Sequence, residues 1–550
     1  MDTRRLILFV IFSFSIMMLW DAWQQKNAPI APIQQDAQTT NQDIPTSTSA
    51  NATVTKSSIS VVESGAFKLE NGQRIKVTTD LFEADIDTVG GDLRRLVLNK
   101  HAAADEKEGN FVLMDDAAKP MFYIAQTGLI GGDLPNHKST FTSSAMSYTL
   151  ADGASSQEVR LSWLGENGVS VDKIYSFKRG SYVIDVSYQV NNASATAITP
   201  SAYYQIVHDS ESNQGSMMMP TFTGGAYYTD ADKFKKIAFS DMAKEPLSKT
   251  TKDGWAGVIQ HYFASAWIPA KGAEREFYTK ELSDKYYAIG LIAPVASIGA
   301  GSSGVIKASL FAGPQTEKDL ATAAPGLEYA VDYGWLTIVA KPLFWVLSKI
   351  NDIVHNWGVA IILLTVLIKA AFYPLSAKSY KSMAQMRELA PRLQSMKEKF
   401  GDDKQKMQQA MMELYRTEKI NPMSGCLPIL VQIPVFIALY WMILGSVELR
   451  HAPFFGWIQD LSAIDPYYVL PLLMGATMII QTYLNPAPTD PIQAKVMKIM
   501  PVVFSIFFFF FPAGLVLYWL VNNVLSILQQ WYVNKSIHAE ALAKKGNAKK

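Results

Sequence analysis

Cysteine is almost absent from the 550-residue chain. Cys426 is the only one, so no disulfide can form within it. Any part of the chain outside the cytosol must therefore be held together by its core alone. Net charge is also lacking: 50 basic residues against 49 acidic ones leave +1, so the placement of charge matters more than its sum. His101, His137, His208 and His261 are scattered without metal-ligand spacing. His208, Asp209 and Ser210 are contiguous, and contiguity is not triad geometry. Neither a nucleophile-elbow serine nor a phosphate-binding glycine loop is present. Together these absences argue against a hydrolase, a metalloenzyme and a nucleotide-driven machine.

Long apolar runs are present. A span needs about 20 apolar residues, and six segments qualify as candidates: Leu6–Trp23, Trp357–Tyr373, Cys426–Gly445, Tyr467–Leu484, Ile499–Phe511 and Gly514–Val533. The first follows Arg4 and Arg5 and ends in Trp20-Asp21-Ala22-Trp23. It lacks the small-x-small site of a cleaved signal, so it reads as a signal-anchor over residues 1–23. Basic residues stay on the cytoplasmic side. The 374–424 loop holds ten basic residues against six acidic ones, whereas the 446–466 loop has only Arg450 against Glu448, Asp460 and Asp465. Every alternation agrees with six spans and both termini in the cytoplasm. The fifth span, at thirteen residues, reaches only about 20 Å. Local bilayer thinning, or snorkelling by Lys495 and Lys498, would meet that mismatch.

Residues 24–60 contain no aromatic residue and are rich in Gln, Thr, Ser and Ala, the composition of a flexible linker. From 61 to 325 the pattern has period two. Tyr182, Ile184, Val186, Tyr188 and Val190 alternate with polar residues, which predicts half-buried antiparallel strands in a large all-β sandwich. Lys178-Arg179-Gly180 and Asn71-Gly72 are expected hairpin turns. Residues 331–350 place Trp335, Val339, Leu343, Val346 and Ile350 at helical spacing, which predicts an amphipathic helix on a membrane interface. Residues 378–420 predict a helical hairpin turning at Gly401-Asp402-Asp403. Met383, Met386, Ala390, Leu393, Met396 and Phe400 form one stripe, and Met407, Met411 and Leu414 the other. Such a stripe closes on itself as a seam, or offers adaptable Met side chains to varied apolar partners. Both uses are compatible.

The last five apolar runs contain no Asp or Glu, and Lys369 is their one charge. Thr365 lies four residues before it, on the same helix face. Lys369 sits about 18 Å along from Trp357, close enough to one end for its stem to snorkel. The other reading is a water-containing cavity, open towards the cytoplasm, shared with Gln432, Asn522 and Asn523. With no internal acid, a proton relay or cation path is a poor fit. The charge is available to an acidic group brought from elsewhere.

Three strings make a specific resemblance: 421-NPMSGCLPILVQIPVFIALYWM-442, 447-VELRHAPFFGWIQDLSAIDPYYVLPLLMGATM-478 and 512-PAGLVLYWLVNN-523. Each resembles the YidC family of membrane protein insertases, and the resemblance extends over essentially the whole chain. It implies a polytopic α-helical membrane protein of six spans. A five-helix insertase core (351–534) would accompany a large all-β periplasmic supersandwich, and a basic cytoplasmic tail would occupy 535–550. It implies a groove open to the cytoplasm, with its positive residue, commonly arginine, at Lys369 and with Thr365, Gln432 and Asn522 beside it. A hydrophobic slide would use Ile433, Pro434, Pro501, Val502, Phe504, Tyr518 and Trp519. The Met-rich hairpin, with Met383, Met386, Met396, Met407 and Met411, would receive clients. Expected partners are nascent membrane proteins, Sec translocon components, the ribosome and signal recognition particle pathway, and membrane lipids; no cofactor or enzymatic activity is implied. Lysine in place of arginine keeps the charge and loses the planar fork. A transporter would instead show paired charges or inverted repeats, and a carbohydrate-acting envelope protein would depend on the β domain.

Overall fold

The computed structural model describes residues 69–547, except 104–108, 118–120, 211–214, 217–218, 273, 284, 402, 419–426 and 485–490, together with residues 44 and 45. The expected first span Leu6–Trp23, the linker 24–60 and Cys426 lie outside the described residues. The chain divides into two compact units. One includes Tyr333–Leu444 and Leu449–Lys550, the other Thr40–Asp332 and Gly445–Glu448.

The second unit is built from a ten-stranded and a nine-stranded sheet. Alternation decides which face each strand buries: Val183–Asn192 turns Ile184, Val186, Tyr188 and Val190 inward. It pairs antiparallel with Val169–Lys178 through the turn at Gly180, whose φ of +69° suits glycine. From the other sheet Tyr204 and Ile206 enter the same core. Asn71 and Gly72 lie in no strand, and the residues before 69 that would form the first arm of their expected hairpin lie outside the described residues. Gly72 donates its N–H to Asp87 Oδ1 at 2.8 Å, just ahead of the first strand, Arg74–Thr78. Two short helices, α1 (Phe239–Lys244) and α2 (Glu317–Ala323), complete the unit.

This core holds a charged cluster. Lys173, Asp92 and Arg94 are all buried. Lys173 Nζ donates to the carbonyls of Gly90 and Thr127 at 3.0 and 3.1 Å, and Asp92 accepts from Gln126 at 2.8 Å. Burial pulls the Lys173 ammonium down to about 7 and pushes the Asp92 carboxyl up.

The first unit is helical: α3 (Thr337–Val354), α4 (Trp357–Ala371), α5 (Tyr373–Glu388), α6 (Ala390–Phe400), α7 (Lys404–Thr417), α8 (Leu427–Gly445), α9 (Val469–Leu484), α10 (Pro491–Phe507) and α11 (Ala513–Asn547). The amphipathic helix forms as α3, but its inward face is Leu336, Ala340, Phe344 and Leu347, not the Val339–Leu343–Val346 stripe. Trp335, Ile338, Trp345 and Ile353 stand exposed on the other side, so both faces are apolar. His355 ends α3 in the left-handed region, and Asn356 caps α4 by accepting from Val359 N–H at 3.0 Å. Gly358 lets the Phe454 ring approach: a Cβ there would lie 2.1 Å from the ring.

Among the described residues no single helix is long and apolar enough to cross a membrane. The pair α4 and α5 passes that test together but is bent by 67°. The break falls at Phe372, just before Pro374, whose ring disfavours a continuous helix. At fifteen and sixteen residues, α4 and α9 measure about 22 and 24 Å. The fifth apolar run is corrected in the opposite direction. Helix α10 begins at Pro491, takes in Lys495 and Lys498, and continues as a 3₁₀ turn, Phe508–Phe510. Its apolar part is short; the helix is not.

The hairpin forms with one more break than its stripe suggests. Pro391 starts a new helix, so the first arm is α5 followed by α6. Asp403 then caps α7, accepting from Lys406 N–H at 3.1 Å. Leu389 and Leu393 are buried, with Met386, Met411, Leu414 and Tyr415 packed on them.

Candidate functional site

Lys369 occupies the last turn of α4, where the carbonyl end of the helix favours a cation. The side chain is 8% exposed, and its ammonium donates to Ser526 Oγ at 2.7 Å. Ser526 in turn donates to the Asn522 carbonyl at 2.7 Å. Among the described residues no carboxylate pairs with Lys369. An ammonium has three N–H donors, so this one retains capacity for an incoming acceptor.

A small cavity brings three of the expected groove residues together. Lys369, Gln432 and Asn522 line it, with Phe372, Ser376 and Val435. Its volume is about 20 Å³, the scale of a single water site. Gln432, on α8, donates its amide to the Tyr518 hydroxyl at 3.4 Å, and Asn522 is buried on α11. Thr365 does not line the cavity. It is buried and donates its hydroxyl to the Ile361 carbonyl at 2.6 Å, as helix-borne threonines do when no better acceptor faces them. Asn523 also turns elsewhere, donating to Thr477 Oγ1 at 3.3 Å.

Ser526 was not among the expected site residues. It lies one turn beyond Asn522 on α11, so its spacing was a usable signal. A lone serine in an apolar run, however, usually bonds its own helix and attracts no notice. Tyr380 of α5 is buried there too and bonds Ser526.

The expected slide divides by exposure. Ile433, Val502 and Phe504 are exposed, as are the neighbouring Val503, Ile506 and Phe507. Pro501 and Tyr518 are buried instead, and Pro434 is half-buried within α8. Trp519 is half-buried, edge-on to Phe436 at 4.6 Å between ring centroids. The outward surface is therefore a strip of α8 and α10, and Tyr518 and Trp519 belong to the packing behind it. Of the hairpin methionines, Met386 and Met411 serve the seam, while Met383, Met396 and Met407 are half-buried outside that cluster.

Comparison with known proteins bears on both units. Residues 74–346 match the family described as YidC periplasmic domain, and residues 349–540 the family described as 60Kd inner membrane protein. The membrane protein insertase YidC of Methylobacillus flagellatus is 64% identical over 555 aligned residues, covering all of both chains. The chain belongs to the YidC family. The insertase YidC of Aromatoleum aromaticum is 51% identical, over 98% of this chain and 99% of its own. A crystal structure titled as an active YidC insertase with its first transmembrane domain resolved covers 84% of this chain, at 19% identity and a TM-score of 0.41. The family assigns the two-sheet unit as a large periplasmic β domain and the protein to the inner membrane.

Proposed function

We propose that the protein inserts nascent membrane proteins into the inner membrane through a groove that opens at Lys369 when a client displaces the packing around the small cavity there. The observation that carries this reading is a buried ammonium with one serine partner and no carboxylate among the described residues. Lys369, Gln432, Asn522 and Ser526 form the polar groove, with Thr365 supporting α4 behind them. An acidic or polar segment of a client enters from the hairpin side and meets the ammonium, which lowers the cost of taking it part-way into the bilayer. The client's apolar segment moves along Ile433, Val502 and Phe504 into lipid. Short helices such as α4 and α9 favour thinned bilayer at this place, and hydrophobic partition supplies the drive.

In this reading the chain has six spans, the first at Leu6–Trp23, and both termini are cytoplasmic, following the distribution of basic residues. The hairpin and basic tail receive clients from the ribosome and signal recognition particle pathway, whose RNA is anionic. Sec translocon components cooperate in the membrane. The test is depletion followed by complementation, scoring insertion of a single-span client with a short acidic extracellular tail. Lys369→Arg is expected to match wild type and Lys369→Glu to fail. Full rescue by Lys369→Glu would remove the groove-charge mechanism.

A further inference from the structure

Two cavities in the helical unit share no lining residue with the Lys369 cavity. The larger, about 580 Å³, is an apolar trough formed by Ile362 and Val366 of α4, Leu473 and Ile480 of α9, and Val521 and Leu525 of α11. Its one polar liner, Thr477, is already satisfied, donating to the Met474 carbonyl at 2.7 Å and accepting from Asn523. The second, about 330 Å³, is mixed, with Met383, Ala384 and Ile537 among its apolar liners. Arg387 and Glu388 of α5 line it with Leu484 of α9 and Gln530 and Asn534 of α11.

The two are successive along the same helices. Leu484 follows Ile480 by one turn on the same face of α9, and Gln530 follows Leu525 along α11. Along α9 the trough runs about 10 Å from Leu473 to Ile480, and with Leu484 of the second cavity one turn on, the two together extend about 16 Å, close to half of a hydrocarbon core of about 30 Å. They end where a cation and an anion stand side by side. Neither Arg387 nor Glu388 forms an ion pair among the described residues.

We propose that this trough and the cavity that follows it along α9 and α11 together seat one phospholipid with a primary ammonium headgroup, a phosphatidylethanolamine. An acyl chain lies against α4, α9 and α11. Arg387, with the Asn534 amide, holds the phosphate, and Glu388 accepts from the ammonium. Only an amphiphile one leaflet long matches both the apolar length and the paired charges at its end. A plain apolar helix would leave Arg387 and Glu388 unanswered, and a purely anionic lipid would leave Glu388 facing a phosphate. The assignment takes its leaflet from the proposed topology, and its readout is lipid retention, so its failure leaves the insertase reading standing.

The experiment reconstitutes the full-length protein in vesicles of equal phosphatidylethanolamine, phosphatidylglycerol and phosphatidylcholine, extracts it mildly, and quantifies retained lipid by native mass spectrometry. Phosphatidylethanolamine is expected to exceed phosphatidylcholine, which cannot donate from its quaternary nitrogen, by about tenfold. Glu388→Gln should erase that preference while retaining phospholipid, and Arg387→Gln should lower retention of all three. Ala476→Phe, which fills the trough floor, should do the same, with circular dichroism confirming the fold. Equal retention of phosphatidylethanolamine and phosphatidylcholine, or a preference unchanged in Glu388→Gln, overturns the assignment. So does a photoreactive residue at Val521 that captures polypeptide rather than lipid.

Discussion

Among the described residues Lys369 combines burial with a single neutral partner, Ser526. That separates two contributions which usually travel together, the charge itself and the hydrogen bond that positions it. Ser526→Ala removes the partner and keeps the charge, so insertion should stay within about twofold of wild type while thermal stability falls by about 1 kcal/mol. Loss of insertion as complete as in Lys369→Glu would show that position, rather than charge, is what matters. Lys173 poses the complementary problem in the β unit, where it is fully buried. Its ammonium is held down to about 7 by burial, whereas in the unfolded chain it titrates near 10.5. Between those values the unfolded state binds the extra proton, so this group makes stability rise with pH across that window. Urea unfolding of the full chain, followed by hydrogen exchange in the strand Val169–Lys178, should show that rise from pH 7 to 9. Lys173→Met should flatten it. The inward register of Lys173 was legible, since Val169, Val171, Tyr175 and Phe177 share its face. Its carbonyl partners, Gly90 and Thr127, lie 83 and 46 residues away in sequence and were not.

Among the elements, the hairpin is where one stripe serves two purposes. Met386 and Met411 fill the seam on Leu389 and Leu393, whereas Met383 lines the cavity that also holds Arg387 and Glu388. Replacing Met386 and Met411 with Ala should destabilise the hairpin by about 1–2 kcal/mol, less than full burial would give, seen as faster hydrogen exchange over Leu389–Tyr415. Replacing Met383 and Met396 should leave that exchange unchanged and slow client delivery. Equal effects from both pairs would reduce the stripe to a seam. Heptad-like spacing located these residues, and Pro391 explains why the first arm is two helices. A side-chain pattern is blind to a backbone break whose flanking residues stay in phase. The same holds for α3, whose inward face differs from the expected stripe. With apolar residues on both sides, periodicity alone cannot choose which side meets protein.

At the scale of the whole molecule, nineteen main-sheet strands among the described residues form two sheets with a core of aromatic and branched side chains. The Lys369 cavity is lined wholly by the other unit. A core of that kind holds a domain together independently. Removing Arg74–Pro314 should therefore leave at least about half of the insertion of a short-tailed client, measured by complementation. Loss of insertion with the helical unit still folded would move the activity to the β domain.

By itself the sequence determined what local pattern can determine: alternation for the sandwich, apolar runs for the helical unit, and a single cation among residues meant for lipid. It also grouped Lys369, Thr365, Gln432 and Asn522, of which Lys369, Gln432 and Asn522 line one cavity, because long motifs carry their own context. Only the tertiary structure decided that Ser526 holds the ammonium and that Thr365 turns away to its own helix. It also decided that Pro501 and Tyr518 are buried behind the exposed strip of Ile433, Val502 and Phe504. Those outcomes depend on which helix faces which, a choice made by packing between residues as far apart as Lys369 and Ser526, 157 positions in sequence. No periodicity within one helix encodes that choice.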